Sequence, residues 1–245
     1  MNIFNENRQI CFSTPRRLTE DTSWHIHIPL AFYLVQQLRP KVIVELGVGA
    51  GDSYGAWCQA VTELEIFATC YGFNITSNCK HGRNINESKF EELVSYHDQL
   101  YGKFSKLNHT TAHGALSYFD DGAIDLLHIN GLNVDEFLNC DFDLWLRKMS
   151  KNGIILIHGI NVKNQNICFS KFSAHLRKNF PYIEFPHGFG LGIAAINQFA
   201  PAAIKCFFNK NGVEIGNIIR FFYLLGRSVL LYSNEKKWPL SGGHE

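Results

Sequence analysis

The chain has 245 residues, 46% of them hydrophobic, and a formal net charge of +1. That size suits one α/β domain with a modest addition and a sizeable core, and the near-zero charge gives no electrostatic case for nucleic acid or for acidic partners. Cysteines stand at 11, 58, 70, 79, 140, 168 and 206 with no C-x-x-C pair, which argues against a zinc ribbon or a redox dithiol and fits free thiols in a reducing compartment. No basic-then-apolar leader opens the sequence, so a cytoplasmic location is expected.

Residues 1–27 are polar and irregular and read as an N-terminal strap over the domain edge. Residues 28–38 read as a helix, with Pro29 in its first turn and Pro40 ending it. The β-branched run Val42, Ile43, Val44 reads as a buried strand closing on Glu45; glycines follow at 47, 49 and 51, and a helix is predicted over 54–64. A second strand is expected over 65–73. A helix is expected over 87–100, with Phe90, Leu93, His97 and Leu100 on one face. Next come a short edge strand within 104–111, a short helix over 112–119 and a buried strand over 124–129. Leu138, Phe142, Trp145 and Met149 fall at helical spacing, so 134–149 reads as an amphipathic helix. Asn152-Gly153 then turns the chain into a strand over 154–158. Phe169, Phe172, Leu176 and Phe180 mark a helix, and strands are expected over 182–185 and 191–196. Such alternation implies an α/β fold: a mainly parallel sheet with helices on both faces. Ligands of such sheets bind beyond the carboxyl ends of the strands, here 45–53, 72–79, 128–133 and 158–162.

The stretch 41–53, KVIVELGVGAGDS, carries the strongest ligand signal. Glycines allow close approach of backbone to ligand, and a helix N-terminus adds free N–H groups. The spacing is G-x-G-x-G, not the G-x-G-x-x-G of dinucleotide folds, and Glu45 precedes it. A carboxylate there suits an ammonium group better than a pyrophosphate. The combination favours a nucleoside that carries an amino acid, and S-adenosylmethionine (SAM) fits. HGFGLG at 187–192 has the same glycine spacing but leads into a strand, so it reads as a tight turn. The apolar segment 216–234 is interrupted by Arg220 and Arg227, which with Asn234 form one polar stripe. It reads as a helix packed on the domain or on a second copy, not as a transmembrane segment.

The runs SWHIHIPLAFYLVQQLRPKVIVELGVGAGDSYGAWCQAV, DGAIDLLHINGLNVDEFLNCDFDLWLRKMSKNGIILIHGINV and FPHGFGLGIAAI resemble class I SAM-dependent methyltransferases of bacterial polysaccharide gene clusters, similar to macrocin and sugar O-methyltransferases. The resemblance spans about residues 12–196. It implies a Rossmann-like fold with a seven-stranded sheet whose last strand is reversed, a methyltransferase-like domain over 28–200 and a C-terminal helical extension over 201–245. It implies O-methylation of a saccharide acceptor with SAM as cofactor, and a possible glycosyltransferase partner. Carried onto this chain, it assigns cofactor binding to Glu45, Gly47, Gly49, Gly51 and Asn74. His128, Asn130 and His158 stand at the strand ends where catalysis is expected, with either histidine as general base or, in the alternative, both as hydrogen-bonded core residues. Asp141 matches an acid of the following helix. The chain departs from the family where carboxylates are usual. Asn74 stands at the ribose-binding position, Asn130 and Asn133 follow the fourth strand, and Gly159 follows His158. Divalent cations lean on carboxylates, so no metal is expected. The substitutions leave a second expectation open: a catalytically degenerate module that binds a sugar or a partner glycosyltransferase.

Overall fold

A computed structural model of the chain describes residues 10–75, 87–130, 141–161, 167–196, 202–208 and 211–237. The sheet is built from β1 (Val42–Leu46), β2 (Thr69–Ile75), β3 (Ser105–Thr110), β4 (Ile124–Ile129), β5 (Met149–His158), β6 (Tyr182–Phe185) and β7 (Leu191–Ala195). Their spatial order is β3-β2-β1-β4-β5-β7-β6. The first five strands are parallel, and β7 runs antiparallel to both β5 and β6. This is the expected seven-stranded, mostly parallel sheet with a reversed strand. The order switches direction at β1 and β4, so a ligand crevice lies beyond their carboxyl ends.

Alternation along the strands sorts side chains onto two cores. Ile43, Leu126, Ile154 and Leu156 face α1 (Ile28–Leu38), α2 (Asp52–Glu63) and α3 (Glu87–Tyr101). Val44, Leu46, Phe73, Leu127, Ile129 and Ile157 face the other layer: α4 (Ala112–Ala115), α5 (Phe142–Lys148) and α6 (Ile167–Asn179). A strand covered on both faces has no polar side, which is why β1 and β5 read as continuous apolar runs.

Local structure departs from the sequence reading in four places. β2 begins at Thr69, because Glu65 takes a left-handed φ of 49° and Phe67 points fully into solvent. The inward row of α3 is Leu93, His97 and Tyr101, leaving Leu100 exposed. His97 is drawn inward by a 2.7 Å hydrogen bond between its Nε2 and Ser105 Oγ. Asn152 and Gly153 lie in a bulge within β5: Ile124 pairs with Met149 and Leu126 with Ile154. α5 ends at Lys148, since Met149 is already extended; of the helix predicted over 134–149, residues 134–140 lie outside the described residues.

The C-terminal segment forms α7 (Ala202–Phe208) and α8 (Gly212–Lys237). Ile204, Phe207, Ile218, Phe222 and Val229 join the core beneath α1, and Tyr33 stacks on Phe207. By length and composition alone, Gly212–Asn234 is apolar enough to cross a membrane, with mean hydropathy 1.2. One face of it is committed to the domain. A Cβ on Gly226 would stand 2.0 Å from the carbonyl oxygen of Ile26, so α8 meets the chain there backbone to backbone. Leu224 and Leu231 are exposed on its outer face.

Candidate functional site

The glycine loop sits where the sheet order switches. Gly47, Gly49 and Gly51 all take left-handed φ values, 88°, 54° and 88°. The glycines are needed for different reasons. A Cβ on Gly47 would lie 1.8 Å from the carbonyl oxygen of Asn130, so this glycine lets the loop cross the end of β4. A Cβ on Gly49 would meet nothing within 4 Å, so the crest of the loop faces open space. Gly51 is hemmed in by Leu93 and by the Arg17 side chain. The amides of Gly47 and Val48 both donate to the carbonyl of Phe73, at 2.9 and 3.2 Å, which ties the loop to the end of β2. Asn74, the next residue, is buried and stands on the side of β2 that also carries Gly72, which Val48 and Tyr54 approach. The predicted ribose position therefore lies against the loop.

Glu45 does not face the crevice. It is fully buried, and its carboxylate is occupied by donors from the protein itself. Ser53 Oγ donates to it at 2.6 Å and Trp57 Nε1 at 2.8 Å, while His128 Nδ1 stands 3.1 Å away. Ser53 and Trp57 are four residues apart on α2, so both present the same face to β1. Ser53 and Trp57 take two of the carboxylate's acceptor sites and the residue has no exposed surface, so the structure holds Glu45 as an interior group where the sequence reading has it meeting a ligand ammonium.

His128 takes the core alternative. It is fully buried, and the indole N–H of Trp24 donates to its Nε2 at 3.3 Å. Indole nitrogen only donates, so Nε2 carries the lone pair and Nδ1–H faces Glu45. Trp24 packs edge-on against both His128 and Trp57 at ring separations of 5.2 and 5.4 Å. The only basic nitrogen of His128 is thus capped by an indole, which removes it as a general base.

His158 and Asn130 do come together. His158 Nδ1 is 3.0 Å from Asn130 Oδ1, and Nε2 is 2.7 Å from the carbonyl of Gly188. A carbonyl accepts only, so Nε2 carries the proton and the neutral ring keeps a lone pair on Nδ1; Asn130 answers it with its NH2 end once the side-chain amide is flipped to exchange its oxygen and nitrogen. Burial lowers the pKa of His158 to about 4, partly offset by the Gly188 bond. Burial and the neighbouring His158 lower that of His27 to about 3. Both rings are neutral at pH 7. Asp141 is buried and receives His113 Nδ1 at 2.7 Å, without capping α5 through its side chain. Among the described residues no group of three or more His, Cys, Asp and Glu side chains converges on one point as a metal requires. Asn133 lies outside the described residues.

Sequence reasoning missed the part played by the strap. Asp52, in the first turn of α2, accepts from the backbone and hydroxyl of Thr19 at 2.7 and 2.6 Å and meets His25 Nε2 at 3.1 Å. Arg17 Nε donates to the carbonyl of Ala50 at 2.8 Å, and its guanidinium lies over the Tyr96 ring. The strap is a built wall of the loop. The available signal was the i, i+4 pair Ser53/Trp57 beside a buried acid; nothing local links Trp24 to His128, 104 residues away.

The fold is that of the Rossmann-like class I methyltransferases. Residues 44–160, a little under half of the chain, match the family model described as a methyltransferase domain. The chain is 31% identical over 181 residues to the uncharacterized protein y4gI of Sinorhizobium fredii. That match takes in 74% of this chain, and the chain spans only 20% of the length of that relative. Among solved structures, the SAH-bound methyltransferase PaMTH1 of Podospora anserina is similar at 17% identity and a TM-score of 0.52, over 76% of this chain and 91% of that one. The O-methyltransferase TomG of Streptomyces achromogenes, solved with SAM, is similar at 12% identity and a TM-score of 0.52, over 74% of this chain and 91% of that one.

Proposed function

We propose that this chain is a SAM-dependent methyltransferase domain that O-methylates a saccharide hydroxyl in the cytoplasm during surface-glycan assembly. The observation that carries the cofactor assignment is the loop crest at Gly49, open to space beside Asn74 at the switch point of the sheet. The match of 44–160 to a methyltransferase domain supports the same reading. The saccharide acceptor rests on the sequence resemblance alone.

The residues fit SAM in part. The crest and Asn74 suit the methionine chain and the ribose, the amide accepting one hydroxyl without the charge that would strengthen the bond. This reading leaves the buried Glu45 out of the ligand's contacts. When bound, SAM supplies an electrophilic methyl on a good leaving group, so alignment of the acceptor oxygen does much of the work. His158 Nδ1 is the lone pair available to an acceptor hydroxyl once the Asn130 amide turns aside. A pKa near 4 makes it a weak base suited to steering a proton and not to deprotonating a hydroxyl outright.

A second reading, a degenerate module that binds without methylating, is favoured by the capped His128 and the occupied Glu45. The much greater length of the Sinorhizobium relative supports a domain that works joined or bound to others, of which a glycosyltransferase is the expected kind. Calorimetry with SAM and SAH, with and without magnesium, tests the proposal. Metal-independent binding is expected, tightened by Asn74→Asp; absence of binding at millimolar SAM overturns it.

A further inference from the structure

The turn between β6 and β7 is built around an exposed aromatic. Gly188, Phe189 and Gly190 all take left-handed φ values of 54°, 67° and 87°. Glycine does this freely; a phenylalanine there is strained, and such strain persists only where surroundings over-determine it. They do so here. Gly188 is wedged so that a Cβ would meet Ile26, His27 and the carbonyl of Ser23, and a Cβ on Gly190 would meet Ile160 and Asn161. The carbonyls of Gly188, Phe189 and Gly190 receive His158 Nε2 at 2.7 Å, Asn161 N at 2.8 Å and Gly159 N at 2.8 Å. The tip is bolted to the three positions at and just beyond the carboxyl end of β5. The outcome of that construction is a phenylalanine 54% exposed to solvent, held just beyond the carboxyl end of β5.

We infer that Phe189 is a binding platform on which the apolar face of a pyranose ring stacks, with its hydroxyls turned toward Asn161 and Asn130. Stacking on a rigid, exposed ring suits a ligand with one C–H face and a polar edge. The amides and imidazoles around the tip are neutral. Asn161 is exposed, Asn130 half-buried, and burial holds His158 and His27 uncharged at pH 7. Asp21, an exposed carboxylate near enough to bear on His158, adds an acceptor for hydroxyl groups. A neutral polyol matches these surroundings better than a phosphate, which finds no cation there among the groups just named, and better than a plain aromatic, which has no hydroxyls to offer the exposed Asn161 amide. The inference deepens the proposed function by giving the acceptor a place; the binding step itself does not depend on SAM.

The test is saturation-transfer NMR and calorimetry on the full chain, with methyl α-mannopyranoside, methyl β-glucopyranoside, methyl β-galactopyranoside and phenol as probes, with and without SAH. At least one pyranoside is expected to bind, phenol more weakly. Phe189→Ala weakens that binding about tenfold, and Phe189→Trp retains it. Phe189→Gly is the decisive variant, because glycine fits the left-handed backbone: its melting temperature stays at or above that of the parent while pyranoside binding falls. Phe67→Ala, which removes a fully exposed ring elsewhere, leaves binding unchanged. The platform is overturned if no pyranoside binds, if phenol binds better, or if Phe189→Gly binds the pyranoside as the parent does. SAM binding measured alongside separates the readings: cofactor binding without pyranoside leaves the methyltransferase proposal standing, and the reverse leaves the platform standing.

Discussion

Acidification is the sharpest probe of the buried imidazoles. His27 and His158 titrate near 6.5 when unfolded and near 3 and 4 in the fold, chiefly because burial disfavours the cation. Between pH 6.5 and 4 the unfolded chain therefore binds protons that the folded chain refuses. Stability rises with pH across that window and is lost as pH falls through it, with no contribution above about 7. From pH 7 to pH 5 each ring costs about 1.8 kcal/mol by that linkage. Because the rings bear on each other, the pair together is worth about 3 kcal/mol. For a chain of this size that lowers the melting temperature by roughly 6–12 °C. Differential scanning calorimetry at pH 7 and pH 5 on the parent and on His27→Gln/His158→Gln measures it, since carboxylate titration is common to both. Glutamine keeps a hydrogen-bonding side chain without a titrating proton, so the double variant should lose most of the difference. Equal pH dependence in the two proteins refutes the argument.

The glycine loop gives a paired prediction. Gly47→Ala places a methyl on the Asn130 carbonyl at a left-handed backbone and should cost about 3 kcal/mol or more in thermal or urea unfolding. Gly49→Ala carries only the backbone penalty of about 1 kcal/mol but should weaken SAM binding, because its methyl enters the open space above the crest; calorimetry reads the difference. Asp52→Ala removes the acceptor that holds Thr19 and His25. Limited proteolysis should then cut within residues 10–27 several-fold faster while α8 stays protected, and unchanged cleavage would show that the strap is held by its apolar contacts.

Much of the fold was legible in the sequence because its signals are local. The run Val42–Val44, the buried strand 124–129 and the alternation of strands with helices follow from side-chain periodicity, and periodicity is what a two-sided sheet imposes. The helix bounds at 28–38 follow from Pro29 and Pro40. The glycine loop was legible too, since few other patterns need three left-handed residues between a strand and a helix. What each glycine is for was not legible: Gly47 answers to the backbone of residue 130, a contact that exists only once β1 and β4 lie side by side.

The polar residues of the crevice divide along the same line. Sequence marks Glu45, His128, His158 and Asn130 as chemistry-bearing, and it places them at strand ends. It does not say whether a carboxylate there faces a ligand or an indole. That choice depends on Trp24 and Trp57, brought in by the strap and by α2, which turn Glu45 and His128 into interior structure, while the Gly49 crest stays open, Asn74 lies buried on β2 and His158 is held between Asn130 and Gly188. Likewise HGFGLG reads as a turn from its glycines alone, and it is one; only the docking of that turn on residues 158–161 holds Phe189 outward. Local pattern decides which residues form each element, whereas side-chain fate at the site is decided by neighbours remote in the chain, because burial and hydrogen-bond partners are properties of the assembled sheet.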